Sequence, residues 1–181
     1  MSLANSLRNR PVFVLATCAA LSLGLGGCIQ PLYAPTTLAR DGGSVRSVLA
    51  AIDVPEIPDR MGHTMRNELV FLLEGRDGPS PKRYRLLVAT NENIAATIVN
   101  SQFQRADIGT VNGSANYRLL SSSEPGKLIA SGSVMGFASF ENTTQRFANL
   151  RAIREAQQRL AKHLAEQIHL QLATKLVASG S

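Results

Sequence analysis

Aromatic residues are scarce in this chain of 181 residues, which has no Trp, three Tyr and six Phe. Few side chains are therefore available to stack on nucleotide bases. Lys and Arg outnumber Asp and Glu by 19 to 13, for a net charge of +6, but they are spread along the chain. We expect no nucleic-acid partner, since such proteins concentrate their basic residues in a patch. A modestly basic domain can still meet phosphate-rich ligands.

Charge is absent from residues 11–27, and acidic residues are absent from all of the first 27. The first ten residues include Arg8 and Arg10, and residues 12–25 form a stretch rich in Leu, Ala and Val. That stretch is shorter than the ~20 apolar residues that cross a bilayer comfortably. A basic start followed by a short apolar core is typical of a secretory signal. We predict that residues 1–27 are a cleaved signal peptide, with an uncleaved anchor as the alternative.

Cysteine is also nearly missing, because the chain has only two. Cys18 lies in the apolar stretch and would leave with the signal, so Cys28 would have no disulfide partner. The segment Leu25-Gly26-Gly27-Cys28 resembles the lipobox of bacterial lipoproteins, in which cleavage precedes a cysteine that is then acylated. We predict lipidation at Cys28, and an unmodified thiol is the alternative. Several acyl chains would anchor the protein to a membrane without spanning it.

Residues 28–43 contain the prolines and glycines of an extended tether, and residues 44–181 are long enough for one folded domain. In that domain, alternating apolar residues predict a strand at 47–54. Helical spacing follows, with Asp59 as a possible cap and Gly75 as a possible end. Further strands are predicted at 82–90, 94–99, 116–122 and 127–140, with a hairpin turn at 122–127 and a final amphipathic helix at 144–177. This order predicts an α+β fold in which two helices cover a small sheet.

The strand at 127–140 has two unlike faces. One face carries small residues such as Gly132 and Gly136, which would let a helix approach closely. The other face is half apolar, since Ile129, Met135 and Phe137 alternate with serines. A sheet with one solvated face does not need that pattern. A partner could cover this face, and a loop or the tether could equally do so.

Chemistry-bearing motifs give little support for catalysis. His163, Glu166 and His169 are spaced as metal ligands on a helix can be, but the spacing places them away from the apolar face, and no matching second motif completes a site. Ser133 lies between Gly132 and Gly136 in a predicted strand, without the strand-to-helix turn of a hydrolase nucleophile. No glycine-rich phosphate loop is present. We expect a protein that is not an enzyme and needs no metal or cofactor.

Basic side chains mark where an anionic ligand could bind. Arg83 and Arg85 share a face of one predicted strand, Arg105 lies in a connector, Arg118 is on the next strand and Lys127 is at the hairpin turn. Guanidinium groups suit phosphates because they donate bidentate hydrogen bonds. Each of these residues could also serve only as a solubilising charge.

Several short motifs together resemble the LPS-assembly lipoprotein family, LptE. The likeness covers nearly the whole mature chain, and its specificity comes from the order of the motifs. The motifs are the lipobox followed by Gln30-Pro31-Leu32-Tyr33, an early helix with Arg66-Asn67-Glu68-Leu69, the strand segment Tyr84-Arg85-Leu86, and a terminal helix rich in Ala, Leu and Arg.

The resemblance implies two helices on a mixed four-stranded sheet and a binding role in the outer membrane of a Gram-negative cell. Family members plug the LptD-type β-barrel translocon, help it to assemble and bind lipopolysaccharide. Ile29 follows the lipidated cysteine where an Asp would retain a lipoprotein in the inner membrane, which suits outer-membrane sorting. On this basis we assign Arg83, Arg85, Arg105 and Lys127 to lipopolysaccharide phosphates as a hypothesis. The alternative is an accessory lipoprotein of another envelope lipid-transport or efflux system.

Overall fold

The computed structural model describes residues 45–75, 80–97, 108–124 and 126–178. The predicted signal, Cys28, the tether and Arg105 lie outside these residues. The elements in chain order are helix α1 (Val45–Ala50), strand β1 (Ile52–Asp53), helix α2 (Asp59–Glu74), strands β2 (Tyr84–Thr97), β3 (Ile108–Ser121) and β4 (Leu128–Glu141), and helix α3 (Arg146–Ala178). The predicted α+β class is confirmed. None of the helices in the described ranges is long and apolar enough to cross a membrane.

The four strands form one mixed sheet in the order β1-β2-β3-β4. The two residues of β1 pair in parallel with the start of β2, whereas β2, β3 and β4 pair antiparallel along nearly their whole length. The hairpin predicted at residues 122–127 joins β3 to β4, and a bulge at Leu119/Leu120 interrupts their pairing near that turn. Three strands of 14 residues therefore make a long, simple meander.

One face of the sheet packs against α3. Leu86, Val111 and Val134 point toward the helix and are buried, and so are Leu160 and Leu164 on the helix itself. The apolar face predicted for the last helix is thereby confirmed, except that its first part is less buried. The other long helix, α2, lies beside α3 and contributes the buried residues Met61, Met65, Leu69 and Leu73 to the same core.

Glycine allows the close approach of α3 to β4. A Cβ atom at Gly136 would lie 3.2 Å from Cδ2 of His163 and 3.3 Å from Cδ1 of Leu160. Its neighbour across the ladder, Gly113, faces the same leucine at 2.9 Å. Two paired glycines thus leave room for one leucine of the helix, as the small-residue face of β4 predicted.

The strand predicted at residues 47–54 is wrong. Its first part belongs to helix α1, and only Ile52 and Asp53 form a strand. Val45, Val48 and Leu49 follow helical i, i+3, i+4 spacing and are all buried. The side chains from 48 to 52 are all buried. Alternation of apolar residues in this stretch is therefore no evidence for a strand with one exposed face.

Two further predictions are corrected. The strands predicted at 82–90 and 94–99 belong, within the described residues, to one strand, β2 (Tyr84–Thr97). Asn91 and Asn93 project from its exposed side, and Glu92 accepts a hydrogen bond from Gln157 (2.9 Å). Asp59 does not cap α2: it is the first helical residue, and the capping position is Pro58, with no side-chain hydrogen bond. The predicted end is confirmed, since Gly75 has φ 60° and its N–H donates to the Phe71 carbonyl (3.2 Å).

Candidate interaction surface on the open sheet face

The sheet has a second face, which points away from α2 and α3. We define this open face by the odd-numbered residues of β2 and β4 and the even-numbered residues of β3, because their partners in the ladder share that orientation. Burial alternates accordingly: Val134 and Ala138 of β4 are buried, whereas Met135, Phe137 and Ser139 are exposed. The half-apolar side of β4 predicted from the sequence is therefore uncovered by the helices of the fold.

Met135 and Phe137 dominate the apolar part of the open face. Their side chains are 74% and 70% exposed. Across the ladder they pair with Ser114 and Asn112, whose short polar side chains do not cover the two large apolar ones. Asn112, Met135 and Phe137 also line a depression with Gly113, Gly136 and His163, which is not confined to the open face because His163 belongs to α3. Two large apolar groups on the same strand, both mostly exposed, are typical of a contact surface.

Leu87 forms a smaller apolar contact area near the other end of the sheet. It is 40% exposed and pairs directly with Arg118 of β3. Arg118 forms no ion pair with any residue that the structure describes. Its guanidinium group is therefore available beside an apolar side chain, which suits an amphiphile carrying both charge and hydrocarbon.

Arg85, on the open face, is already paired. Its Nε lies 3.3 Å from Oδ2 of Asp53, which stands opposite on β1. Both side chains are well exposed, so the pair contributes little to stability and an external anion can compete with the carboxylate. From Leu87 to Asn93 in β2, Thr110 to Arg118 in β3 and Ser131 to Ser139 in β4, the described open face carries no carboxylate, whereas Glu141 lies on the same side at the end of β4. The charge of the central part of the face is thus neutral to positive.

The other predicted anion-binding residues lie at the same end of the sheet. Arg83 precedes β2 instead of lying in it, and its carbonyl accepts a hydrogen bond from the Ser122 N–H (2.9 Å). Lys127 follows the turn, where its Nζ forms a 2.7 Å ion pair with Glu124. The structure therefore brings Arg83, Arg85 and Lys127 to one end, while Arg105 lies outside the described residues. Their role toward lipopolysaccharide stays a prediction.

The outer edge of the sheet is capped by α3. Arg159 Nη2 donates to the Ser139 carbonyl at 2.8 Å, and Gln171 Nε2 donates to the Ser133 carbonyl at 3.4 Å. Lys175 Nζ donates to the Ser131 carbonyl. β4 is the last strand in the sheet, and an edge strand exposes backbone groups to pairing with other chains. Side chains of the helix therefore occupy part of that edge, an arrangement that the helical periodicity alone does not reveal.

His163 and His169, which the sequence places away from the apolar face of the last helix, differ in their environments. His163 is exposed, with its Nε2 2.7 Å from Nε2 of Gln167, and Glu166 is also exposed. His169 is half-buried instead, and desolvation lowers the pKa of its imidazole. Within the described ranges, no three His, Cys, Asp or Glu side chains converge to hold a metal ion.

Comparison with known proteins places the fold among bacterial lipoproteins. No family model and no curated protein matches the sequence. Among solved structures, a candidate lipoprotein from Caulobacter crescentus is 28% identical, with a TM-score of 0.60 over 73% of this chain and 95% of that chain. Rare lipoprotein B from Shewanella oneidensis is 9% identical, with a TM-score of 0.51 over 70% of this chain and 95% of that one, a likeness of fold alone. The chain thus shares its fold with proteins described as bacterial lipoproteins.

Proposed function

We propose that this protein is a non-enzymatic outer-membrane lipoprotein that assembles with, and plugs, the β-barrel translocon of lipopolysaccharide. In this role it binds lipopolysaccharide during transport to the outer leaflet. The observation that carries the proposal is the open sheet face, where Met135 and Phe137 are 74% and 70% exposed on a 14-residue strand. Leaving two such side chains in water is unfavourable, and covering them stabilises a complex by about 1.5–3 kcal/mol for each side chain that is fully buried.

A barrel interior suits this face better than a dry protein interface does. The open face alternates its apolar residues with Asn and Ser, such as Asn112, Asn116 and Ser133. Amides and hydroxyls need hydrogen-bond partners or water when they are covered. The interior of an outer-membrane barrel is polar and hydrated. A mixed surface of this kind can therefore be enclosed there without stranding its polar groups.

We infer membrane attachment from the lipobox, and the structural neighbours are likewise described as lipoproteins. Acylation of Cys28 would fix the domain to the membrane that contains the barrel, and attachment raises its effective concentration near that partner. Ile29 at the next position supports outer-membrane sorting through the family resemblance.

Lipopolysaccharide is the ligand class that suits the charged end of the sheet. Arg83, Arg85 and Lys127 lie at that end, where Arg85 is paired with Asp53 and Lys127 with Glu124, and Arg118 adds a cation beside the apolar Leu87. Lipid A combines phosphates with acyl chains, so adjacent guanidinium and apolar groups match it in both respects. Arg105 belongs to the same hypothesis from the sequence.

The test is recovery of the barrel with the lipidated, full-length protein after detergent extraction. We expect a stoichiometric β-barrel partner with the wild-type chain and a strong loss of it when Met135 and Phe137 are both replaced by Ser. Phe71→Ser is the matched control, because Phe71 is 72% exposed on α2, away from the sheet face. It should leave recovery unchanged.

Two other results would overturn the proposal. Recovery of an inner-membrane transporter without a barrel would favour the accessory subunit of another lipid-transport or efflux system. Turnover of an ester or glycan by the purified protein would contradict a purely binding role. Mass spectrometry of the mature amino terminus tests acylation of Cys28 separately.

A further inference from the structure

Several side chains on the first turns of α3 are exposed and do not belong to the open face of the sheet. Phe147 is 83% exposed and Leu150 is 43% exposed. Arg151 and Arg154 complete the i, i+3, i+4, i+7 spacing that places four residues on one side of a helix. Ala156, half a turn out of phase with Phe147, is fully buried. This Phe147 stripe (Phe147, Leu150, Arg151 and Arg154) thus lies opposite Ala156, and its exposure belongs to this end of the helix, since Ala165, in phase with Phe147 five turns later, is fully buried.

The stripe is strongly cationic. Helix α3 has no acidic residue from Arg146 to Arg154, although three arginines lie there. None of these arginines forms an ion pair or side-chain hydrogen bond with the described part of the chain. Arg151 and Arg154 are neighbours at i, i+3 spacing, and like charges so placed repel each other. An anionic surface against the stripe would relieve that repulsion.

We propose that the Phe147 stripe binds an anionic phospholipid surface. Phe147 and Leu150 enter the boundary between headgroups and acyl chains, while Arg151 and Arg154 pair with lipid phosphates. Apolar and basic residues together on one helix face are typical of helices that lie in a membrane interface. Long arginine side chains can extend along the apolar groups and keep their charge at headgroup depth.

Chain length makes this contact geometrically accessible. Only 16 residues lie between Cys28 and Val45, the first residue of α1, so the link can span at most about 60 Å. Anchoring of Cys28 would thereby hold Val45 within about 60 Å of the membrane. This step rests on the acylation included in the proposed function. The binding chemistry of the stripe does not require the barrel or lipopolysaccharide.

The absence of tryptophan permits a site-specific test. The sequence has no Trp, so Phe147→Trp introduces a single reporter of polarity. Phe71→Trp is the matched control: Phe71 is 72% exposed on α2, with Glu68 and Glu74 one turn away on either side. The two reporters share their exposure and their helical setting but differ in the sign of the neighbouring charge.

The full-length lipidated variants are reconstituted in vesicles of phosphatidylcholine, with or without phosphatidylglycerol. We expect the emission of Trp in the Phe147→Trp variant to shift to the blue, and to be quenched by brominated acyl chains, only when phosphatidylglycerol is present. High salt should reverse the shift, since exposed charges are screened. The Phe71→Trp variant should emit as an exposed tryptophan in both kinds of vesicle.

Removing the two stripe arginines tests the electrostatic part. Arg151→Ala with Arg154→Ala should lower the ratio of inserted to free reporter by about fivefold per arginine, from the usual attraction of one basic residue to an anionic surface. Arg60→Ala with Lys162→Ala removes two exposed charges elsewhere and should leave that ratio unchanged.

Three outcomes would overturn the inference. The first is equal emission from Phe147→Trp in neutral and anionic vesicles, and the second is an equal shift from Phe71→Trp. The third is the same blue shift with inorganic phosphate alone, which would identify a simple anion site. Because the vesicles contain no barrel and no lipopolysaccharide, a negative result here is distinct from failure of the proposed function.

Discussion

The phenol of Tyr117 donates a 2.9 Å hydrogen bond to Oε1 of Gln171 and thereby joins the last third of β3 to the last third of α3. Tyr117 is 1% exposed, and Gln171 in turn donates to the Ser133 carbonyl on the sheet edge. Lys175 lies 5.6 Å from the centre of the Tyr117 ring. One buried tyrosine therefore contacts two of the three side chains that cap β4, Gln171 and Lys175.

Gly132 provides the space for that tyrosine. A Cβ atom at this position would lie 2.6 Å from the Tyr117 Oη, so Gly132→Ala requires the ring to move. In an open strand, alanine would stabilise by about 0.5–1 kcal/mol relative to glycine. Here we expect a net loss of about 1–3 kcal/mol in the free energy of unfolding, measured in urea. Ser133→Ala, on the exposed face of the same strand, is the control. An unchanged or raised stability in Gly132→Ala would contradict this packing.

His169 should make stability depend on mildly acidic pH. Desolvation lowers the pKa of the folded-state imidazole below its usual 6.5, so the unfolded chain takes up a proton more readily. Stability is then complete above about pH 6.5 and decreases as the pH falls from that value through the lowered folded pKa. The slope cannot exceed about 1.4 kcal/mol per pH unit for one proton, and half-burial makes it smaller. Urea unfolding between pH 7 and pH 5 measures it.

Two variants distinguish the contribution of His169 to the pH dependence of stability from that of other titratable groups. His169→Gln should flatten the dependence between pH 6.5 and pH 5, whereas His163→Gln, at an exposed position on the same helix, should retain the wild-type slope. If both variants behave like the wild type, burial of His169 does not control the pH dependence.

The caps on the β4 edge should suppress self-association. Replacing Arg159 and Lys175 by Met keeps much of each side chain's length but removes the donors to the Ser139 and Ser131 carbonyls. The monomer should lose no more than about 1–2 kcal/mol of stability, because both donors are exposed. Edge-to-edge association should nevertheless rise, as measured by sedimentation at increasing protein concentration. Lys162→Met, on the same helix and exposed, should remain as monomeric as the wild type.

Whether a segment of the fold could be predicted from the sequence depends on whether one of its sides faces water. The terminal helix and the β3–β4 hairpin could be predicted because one side of each faces water, so burial follows the period of the element. Residues 45–54 could not, because residues 48–52 are all buried and the polar residues Arg46, Ser47 and Asp53 lie only on either side of that run. The amino-terminal half of β3 was missed because Gly109 and Gly113 suggest a loop, although they accommodate Phe140 and Leu160.

The candidate site was predictable only in part, for a related reason. Alternation along β4 identified Met135 and Phe137 as an unusual apolar side. The pairing of Arg85 with Asp53 depends on a parallel register between residues 32 positions apart, which no local pattern encodes. Arg118 was noted from the sequence, but its place beside Leu87 is fixed by the β2–β3 register.

Competition between Asp53 and an external phosphate should set the contribution of Arg85 to lipopolysaccharide binding. Removing the carboxylate with Asp53→Asn frees Nε, which now lies 3.3 Å from Oδ2. An exposed pair of this kind contributes roughly 0.2–1 kcal/mol, so affinity for lipopolysaccharide should rise by about 1.5- to 5-fold. Arg85→Gln removes a charge-assisted bond and should lower affinity by about tenfold or more. Anisotropy of fluorescent lipopolysaccharide, titrated with full-length protein, measures both changes.

The combined variants determine whether the sheet end is the phosphate site at all. Asp53→Asn with Arg85→Gln should bind no better than Arg85→Gln alone, because the gain from Asp53→Asn acts through the freed guanidinium. Lys162→Gln removes one exposed charge from α3 and should leave affinity unchanged. Replacing Arg83, Arg85, Arg105 and Lys127 together should abolish most binding at low and moderate salt. Unchanged affinity of that quadruple variant would refute the assignment, and Arg118 beside Leu87 would then be the next residue to replace.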